Sequence, residues 1–512
     1  MNILFSLTII ITIQKTIISK TLNLKIQKSK NLFRDLKSIS PLYGNSKELF
    51  YYYTNLYIGE KKEKQTYIID TGSSVTTSPC SLCENCGTHL NSPFQISNNE
   101  ILQCNNKKCK LANIYGCNKK EKCDFSLYYS EGSSLEGCFV DKIIYFEDNF
   151  ENENNNISIP IGCTIKETHL FVTQLADGIM GLGNRKNSFV SILKNYGIIK
   201  NDIFSICLGD ENGYFSIEEI NYKNHYENIK YTNYNKNEEH YYIKLKNIEI
   251  YDIRVKFELK AFIDSGSTLT YMPSKIGEVI SNKIKEICNK TKNINKCGKF
   301  TFNDFLNHCY EFNNNDEINY AIENIFPDII FNINNDLSYF WSPKNYFIQL
   351  SDYIICLGLK YSDKFLLGDT WMKEYDIIFN KENFSIGFAA SNCNKEVNLD
   401  DKKNWERYRK EREDKLREEV LGEDKEKKDE KDDKDKEKEK EEKGKNINNN
   451  NFKIYIYIGI GIFILITLTI YIIIKLRNKS SKIKEFNFSK ITNEEVEMEK
   501  AINKLIESPL TP

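Results

Sequence analysis

Two short stretches place carboxylates in a setting suited to proton transfer. Asp70-Thr71-Gly72-Ser73-Ser74 follows the apolar run Tyr67-Ile68-Ile69, and Asp264-Ser265-Gly266-Ser267-Thr268 follows Ala261-Phe262-Ile263. The two aspartates are 194 residues apart, the length of a folded lobe. Each apolar run reads as a buried strand, and the glycine after it lets the chain turn and expose the carboxylate. Each also has a downstream counterpart of two apolar residues and a glycine. Ile179-Met180-Gly181 ends 111 residues after Asp70, and Leu366-Leu367-Gly368 ends 104 residues after Asp264. A single Asp-Thr/Ser-Gly is what any turn favours; two of them, each with a partner, form a duplicated half-site. If the halves fold with pseudo-twofold symmetry, the aspartates meet at the boundary. Two carboxylates that close share one proton, the ionised one acting as general base on a water and the protonated one as general acid.

The elements that must hold this pair are short runs rich in Tyr, Ile, Phe and Val, separated by Asn, Gly and Ser, from Leu49 onward. Such runs predict a mostly antiparallel β architecture. Ser188 to Tyr196 and Lys275 to Cys288 show helical spacing and predict small surface helices. A chain of 512 residues implies at least two folding units. The 71 basic and 72 acidic residues nearly cancel, and no basic domain stands apart, which argues against nucleic acid as a partner.

The ends of the chain predict its compartment. Ile3 to Ile13 is a short apolar run, read as part of a signal peptide over 1–19. Residues 20–47 hold several lysines and read either as a short prosegment shielding an acidic cleft or as a disordered stub. Ile454 to Ile474 is 21 residues without a charge, long enough at about 1.5 Å per residue to cross a bilayer. Lys475, Arg477, Lys479, Lys482 and Lys484 follow it and place the tail 475–512 in the cytosol. The expectation is a single-pass type I membrane protein whose body is lumenal or extracellular. Between body and anchor, 37 of the 45 residues from Asp401 to Lys445 are charged, 18 positive and 19 negative. That run predicts a solvated stalk over 396–453, either a coil or one exposed helix laced with opposite charges.

Fifteen cysteines fit an oxidising compartment, and the odd count leaves at least one thiol without an internal partner. Cys80, Cys83, Cys86, Cys104, Cys109, Cys117 and Cys123 cluster within 80–123. Cys-x2-Cys is zinc-ligand spacing and His89 is near, so a metal site is one reading and a disulfide-stapled insertion the other. The compartment favours disulfides, and no metal is assigned. Asn156, Asn289 and Asn383 open glycan-acceptor motifs.

Taken together, the motifs resemble those of pepsin-type aspartic endopeptidases, and more closely their membrane-anchored, cysteine-rich branch of plasmepsin V-like and nepenthesin-like enzymes. The resemblance spans roughly residues 48 to 393. It is carried by both aspartate motifs and by Tyr51-Tyr52-Tyr53-Thr54-Asn55-Leu56-Tyr57-Ile58-Gly59, Ala176-Asp177-Gly178-Ile179-Met180-Gly181-Leu182-Gly183 and Leu366-Leu367-Gly368-Asp369-Thr370-Trp371. It implies an all-β, bilobal fold, with an N-terminal lobe over 48–215, a C-terminal lobe over 216–395 and the anchoring helix appended. It implies hydrolysis of polypeptides by water activated between Asp70 and Asp264, with no cofactor and one chain sufficing as a monomer. Thr71 and Ser265 are similar to the hydroxyl residues that brace the two loops. Gly72 and Gly266 resemble the glycines that let backbone N–H groups approach the carboxylates, and Ser73 and Ser267 the hydroxyls that bond the outer carboxyl oxygens. Tyr128-Tyr129-Ser130-Glu131-Gly132-Ser133 looks like the family's flap hairpin, with Tyr129 as the flap tyrosine and Gly132 at the turn. Glu131 there is a candidate for selecting a basic substrate side chain, with a solvated surface charge as the plain alternative. Two departures stand out. Ser130 occupies the place of the free cysteine found beside the flap tyrosine in the plasmepsin V-like branch. Ser74-Val75-Thr76-Thr77-Ser78 also lacks the tryptophan that supports that tyrosine in pepsins. The insertion is expected to be stapled as in nepenthesin-like enzymes, with Cys163 and Cys207 bridging inside the N-terminal lobe and Cys356 inside the C-terminal one. The alternative to an enzyme is a silent protease-like receptor; intact aspartates and glycines in both motifs speak against it.

Overall fold

The structure, a computed structural model, describes residues 38–45, 49–112, 117, 121–146, 157–291, 294–303, 306, 308–334 and 336–421. The expected signal peptide, most of 20–47, the anchor 454–474 and the tail lie outside these residues. Among the described residues no helix is long and apolar enough to cross a membrane.

The chain folds mostly as β-strands. In the first half these are β1 (Ser38–Asn45), β2 (Tyr51–Ile58), β3 (Glu63–Asp70), β4 (Thr77–Pro79), β5 (Asp124–Tyr128), β6 (Ser134–Phe146), β7 (Ile157–Glu167), β8 (Gly178–Gly181), β9 (Ile203–Leu208) and β10 (Asn212–Ile217). In the second half they are β11 (Lys230–Asn233), β12 (Tyr242–Ile250), β13 (Ile253–Ile263), β14 (Thr270–Met272), β15 (Lys299–Thr301), β16 (Cys309–Glu311), β17 (Ile329–Asn332), β18 (Ser338–Trp341), β19 (Phe347–Ser351), β20 (Ile354–Leu357), β21 (Leu359–Tyr361), β22 (Leu366–Leu367), β23 (Tyr375–Asn380) and β24 (Ser385–Ala390).

They form three sheets. A 13-stranded sheet runs β11-β24-β23-β9-β10-β1-β2-β3-β8-β4-β7-β6-β5, a seven-stranded one β18-β17-β12-β13-β22-β14-β21, and a four-stranded one β15-β16-β20-β19. Period-two patterning builds them: in β12, Ile243, Leu245, Ile248 and Ile250 are buried while Lys244 and Lys246 point outward. The two predicted helices form as Phe189–Asn195 and Ser274–Lys290. The second turns Ile276, Ile280, Ile284 and Ile287 toward the core, the stripe expected of an amphipathic helix.

The same crossing occurs once in each half. β3 lies parallel to β8 with Asp70 opposite Gly181, and β4 runs antiparallel to β8. β13 lies parallel to β22 with Ile263 opposite Leu367, and β14 runs antiparallel to β22. The spacing from each aspartate to its downstream glycine is the sequence trace of this arrangement.

Several expectations change. Residues 38–45, the end of the segment 20–47, are not a disordered stub but form β1, seated between β10 and β2. Ser38, Ser40 and Leu42 alternate into the core, and the two serine hydroxyls bond each other, so small polar residues fit a buried strand face.

Seven disulfides join Cys80–Cys163, Cys83–Cys86, Cys104–Cys117, Cys109–Cys123, Cys207–Cys393, Cys288–Cys297 and Cys309–Cys356. Cys163 bridges inside the expected N-terminal lobe, to Cys80, whereas Cys207 does not and pairs with Cys393. β4 beside β7 brings Cys80 to Cys163, whereas β23 beside β9 carries the C-terminal segment, and with it Cys393, to Cys207. Cys356 does pair within the C-terminal half. Cys109, Cys117 and Cys123 lie together in the geometry of a metal site, but their sulfurs are taken up in disulfides. Cys138 is the free thiol; it is buried, in register with Cys163.

The charged run begins as the helix Leu399–Leu421, and it is not wholly solvated. Trp405 stacks on Tyr226 at 5.5 Å, and the Arg409 guanidinium lies 3.4 Å from the Phe340 ring centre. Arg412 is buried: it donates to the carbonyls of Ile322 and Phe326 at 2.7 and 2.9 Å and pairs with Asp328 at 3.0 Å.

Candidate active site

Strand ends β3 and β13 deliver Asp70 and Asp264 to one place. A Cβ built on Gly72 would stand 2.5 Å from Asp264 Oδ1, and one on Gly266 would overlap the Asp70 carboxylate, so only glycine lets the two turns meet. The carboxyl groups converge there, since the same Cβ on Gly266 would also stand 3.3 Å from Asp264 Oδ1.

The turns interlock with twofold regularity. Thr71 N–H donates to Ser265 Oγ at 3.1 Å, and Ser265 N–H to Thr71 Oγ1 at 3.0 Å. Thr71 Oγ1 donates to the Ile263 carbonyl at 2.9 Å and Ser265 Oγ to the Ile69 carbonyl at 2.7 Å. Gly72 N–H donates to Asp70 Oδ1 at 2.8 Å and Gly266 N–H to Asp264 Oδ1 at 3.0 Å. The second oxygen of each carboxylate accepts from a serine: Ser73 bonds Asp70 Oδ2, and Ser267 donates to Asp264 Oδ2 at 2.9 Å.

Both aspartates are buried, and both hold their protons more tightly than a free carboxyl. Asp70 is pushed up to about 7, first by burial and then by the charge of Asp264, against the opposing bonds from Ser73 and Gly72. Burial likewise raises Asp264, while bonds from Ser267, Gly266 and Asp70 restrain the shift. The pair thus holds a shared proton above the usual carboxylate range, because two adjoining buried carboxyls cannot both ionise cheaply.

Above the pair, β5 and β6 close a hairpin over residues 129–133. Tyr129 N–H donates to the Ser133 carbonyl at 2.9 Å and Gly132 N–H to the Tyr129 carbonyl at 3.0 Å. Gly132 has φ +97°, a conformation glycine adopts without strain, while Glu131 is exposed at the tip. The Tyr129 hydroxyl is buried beside Ser73, without a hydrogen-bond partner of good geometry. In place of the absent tryptophan, Phe171 packs edge-on against the Tyr129 ring at 4.9 Å.

Sequence reasoning missed Phe171 and Asp369. Asp369 is fully buried, follows Gly368, and neither of its carboxylate oxygens has a hydrogen-bond partner among the described residues. Burial, then the charge of Asp264, raises its pKa well above the usual carboxylate value. Its only sequence signal is its place after Leu366-Leu367-Gly368; Phe171 has none, because its role arises from packing.

Fold and site define a bilobal, mostly β hydrolase of the aspartic class. Family models described as xylanase inhibitor N-terminal and xylanase inhibitor C-terminal match residues 52–217 and 240–390, together more than half of the chain. The chain belongs to the pepsin-type aspartic endopeptidase family. It is 26% identical over 453 residues to plasmepsin V of Plasmodium falciparum, covering 72% of this chain and 75% of that protein. It is 25% identical over 417 residues to aspartic proteinase 36 of Arabidopsis thaliana, covering 73% and 82%. A shorter match of 196 residues at 26% identity, 34% of this chain and 20% of the other, links it to aspartic protease 5 of Toxoplasma gondii. The protein is an aspartic-type endopeptidase, and its substrates are polypeptides.

Proposed function

We propose that Asp70 and Asp264 are the catalytic pair of a membrane-anchored endopeptidase that cuts proteins passing through the secretory system. The observation that carries this reading is the interlocked pair of turns, which brings two buried carboxyls together; the raised pKa of both supports one shared proton. The ionised carboxylate takes a proton from a water, the water attacks the scissile carbonyl, and the protonated carboxyl donates to the carbonyl oxygen. No acyl-enzyme forms. Thr71, Ser265, Gly72, Gly266, Ser73 and Ser267 fix the carboxylates in place, and the hairpin with Tyr129 and Gly132 closes over the peptide and excludes water. Both half-sites lie on one chain, so a monomer suffices.

The exposed position of Glu131 on this hairpin supports a role in pairing with a basic substrate side chain. Seven disulfides support an oxidising compartment, and the apolar runs near the N-terminus and over 454–474 support entry into the secretory route and a type I anchor. An anchored protease in that position suits maturation of passing cargo better than bulk digestion.

The test is a peptide-library cleavage profile of the lumenal part at acidic pH. Asp70→Asn is expected to lose at least about a thousandfold in rate, and Glu131→Gln to lose any preference for Arg or Lys while still cleaving. Substantial cleavage by Asp70→Asn would remove the dyad from this account.

A further inference from the structure

The cysteine-rich insertion touches the flap's support through a buried ion pair that the proposed chemistry does not use. Glu167, the last residue of β7, and His89, inside the insertion, have side chains only 2% and 3% exposed. Glu167 Oε2 accepts from His89 Nε2 at 2.9 Å and from Gly87 N–H at 2.9 Å, while Glu167 N–H donates to the Asn85 carbonyl at 3.2 Å. On its other side the His89 ring meets the Gln174 carbonyl at 3.0 Å, and Leu90 N–H donates to the Leu175 carbonyl at 2.8 Å. Gly87 lies so close to the Val172 backbone that a Cβ there would overlap the Val172 carbonyl. Segment 85–90 therefore clasps segment 167–175 along its length.

The same segment 167–175 holds the hairpin. Ser134 N–H donates to Thr168 Oγ1 at 2.8 Å, Thr168 N–H donates to the Ser134 carbonyl at 3.1 Å, and Leu170 N–H donates to Ser133 Oγ at 3.2 Å. Phe171 supports Tyr129. The path from insertion to flap is continuous, and Cys80–Cys163 and Cys83–Cys86 staple its near end.

We propose that His89 and Glu167 are positioning residues: a buried strut through which the insertion holds the flap over the bound peptide, complete only while the imidazole carries two protons. The proposal rests on reading 129–133 as the flap. The proton requirement follows from the partners. A carbonyl can only accept, so Nδ1 carries a hydrogen toward Gln174, and a carboxylate can only accept, so Nε2 must carry one as well. Glu167 faces the ring from β7, Asp177 acts on it from the segment after the short helix Leu170–Thr173, and the Tyr51 hydroxyl bonds the neighbouring Leu175 and Ala176 N–H groups. Burial opposes protonation, but the bond and charge of Glu167 outweigh it, and His89 holds its proton above the usual histidine range. A raised histidine favours the folded clasp at low pH and withdraws that support as pH climbs through its own titration.

The experiment measures KM and kcat for one peptide from pH 4.5 to 8, together with amide exchange of residues 128–134, in wild type, His89→Ala and Glu167→Gln. In wild type, KM is expected to be flat at acidic pH and to rise once His89 titrates, with exchange at 128–134, corrected for intrinsic rate, accelerating in step. Glu167→Gln keeps the side chain's shape and removes its charge, so the same rise begins about one pH unit lower. His89→Ala raises KM about tenfold across the range with kcat within about twofold, and speeds exchange at 128–134 about tenfold. A Glu167→Gln profile identical to wild type overturns the strut, as does a loss in kcat at unchanged KM. Should either variant fail to fold, wild-type exchange at 128–134 that ignores pH overturns it alone. The exchange arm needs no cleavage, so a wrong assignment of Asp70 and Asp264 leaves it readable.

Discussion

Asp70 and Asp264 sit where folding works against their ionisation, and both stability and rate inherit that conflict. Asp70 moves from 3.8 to about 7 on folding, so the native state binds its proton more tightly than the unfolded chain. Its contribution to stability is greatest below pH 4, declines as pH rises through about 7, and is constant beyond. Asp70→Asn removes the conflict. Its stability relative to wild type is expected to grow from about zero at pH 4 to about 1–3 kcal/mol at pH 8, read by urea denaturation across pH. Wild-type kcat/KM should fall above pH 7 as the shared proton leaves, and a rate that is flat from pH 5 to 9 would contradict it. The two aspartates were legible in the sequence because their signal is local: an apolar run, a carboxylate and a glycine turn, twice. Asp369 and Phe171 were not, since each matters through neighbours distant along the chain.

Among the elements, the two turns that carry the aspartates form one unit. Thr71 Oγ1 accepts from the Ser265 N–H and donates to the Ile263 carbonyl, and across the pseudo-dyad Ser265 Oγ accepts from the Thr71 N–H and donates to the Ile69 carbonyl. Thr71→Ala leaves a buried donor and a buried acceptor without partners, so we expect a loss of about 2–3 kcal/mol in a denaturation experiment. Adding Ser265→Ala should cost less than its own single effect, because the network is already broken. Additive losses would show the turns to be independent. Strand content and the two helices could be read from periodicity, and the hairpin from its resemblance to the family's flap. Strand order could not: β9 beside β23 brings Cys393 to Cys207 across 186 residues, and no local pattern encodes that meeting.

At the level of the whole molecule, the C-terminal charged run is part of the folded body where it begins. Trp405, Arg409 and Arg412 share one side of the helix Leu399–Leu421, and Arg412 is buried against Asp328 and backbone carbonyls. Arg412→Ala strands a buried carboxyl and is expected to cost about 3–5 kcal/mol by chemical denaturation. Exchange of charge for charge farther along, beyond residue 421, should cost nothing measurable if that part is solvated. A null effect of Arg412→Ala would return the helix to the status of a free spacer. Composition hid this docking, because overall charge described the run correctly and only the lone tryptophan hinted at a packed face.

The placement of β1 has its own consequence. This strand joins β10 to β2 in the middle of the largest sheet, so losing it would divide that sheet into two parts. A maturation cut that released β1 would thereby undo the scaffold, and a mature N-terminus mapped downstream of Asn45 would mean the strand remains bound as a separate, nicked peptide.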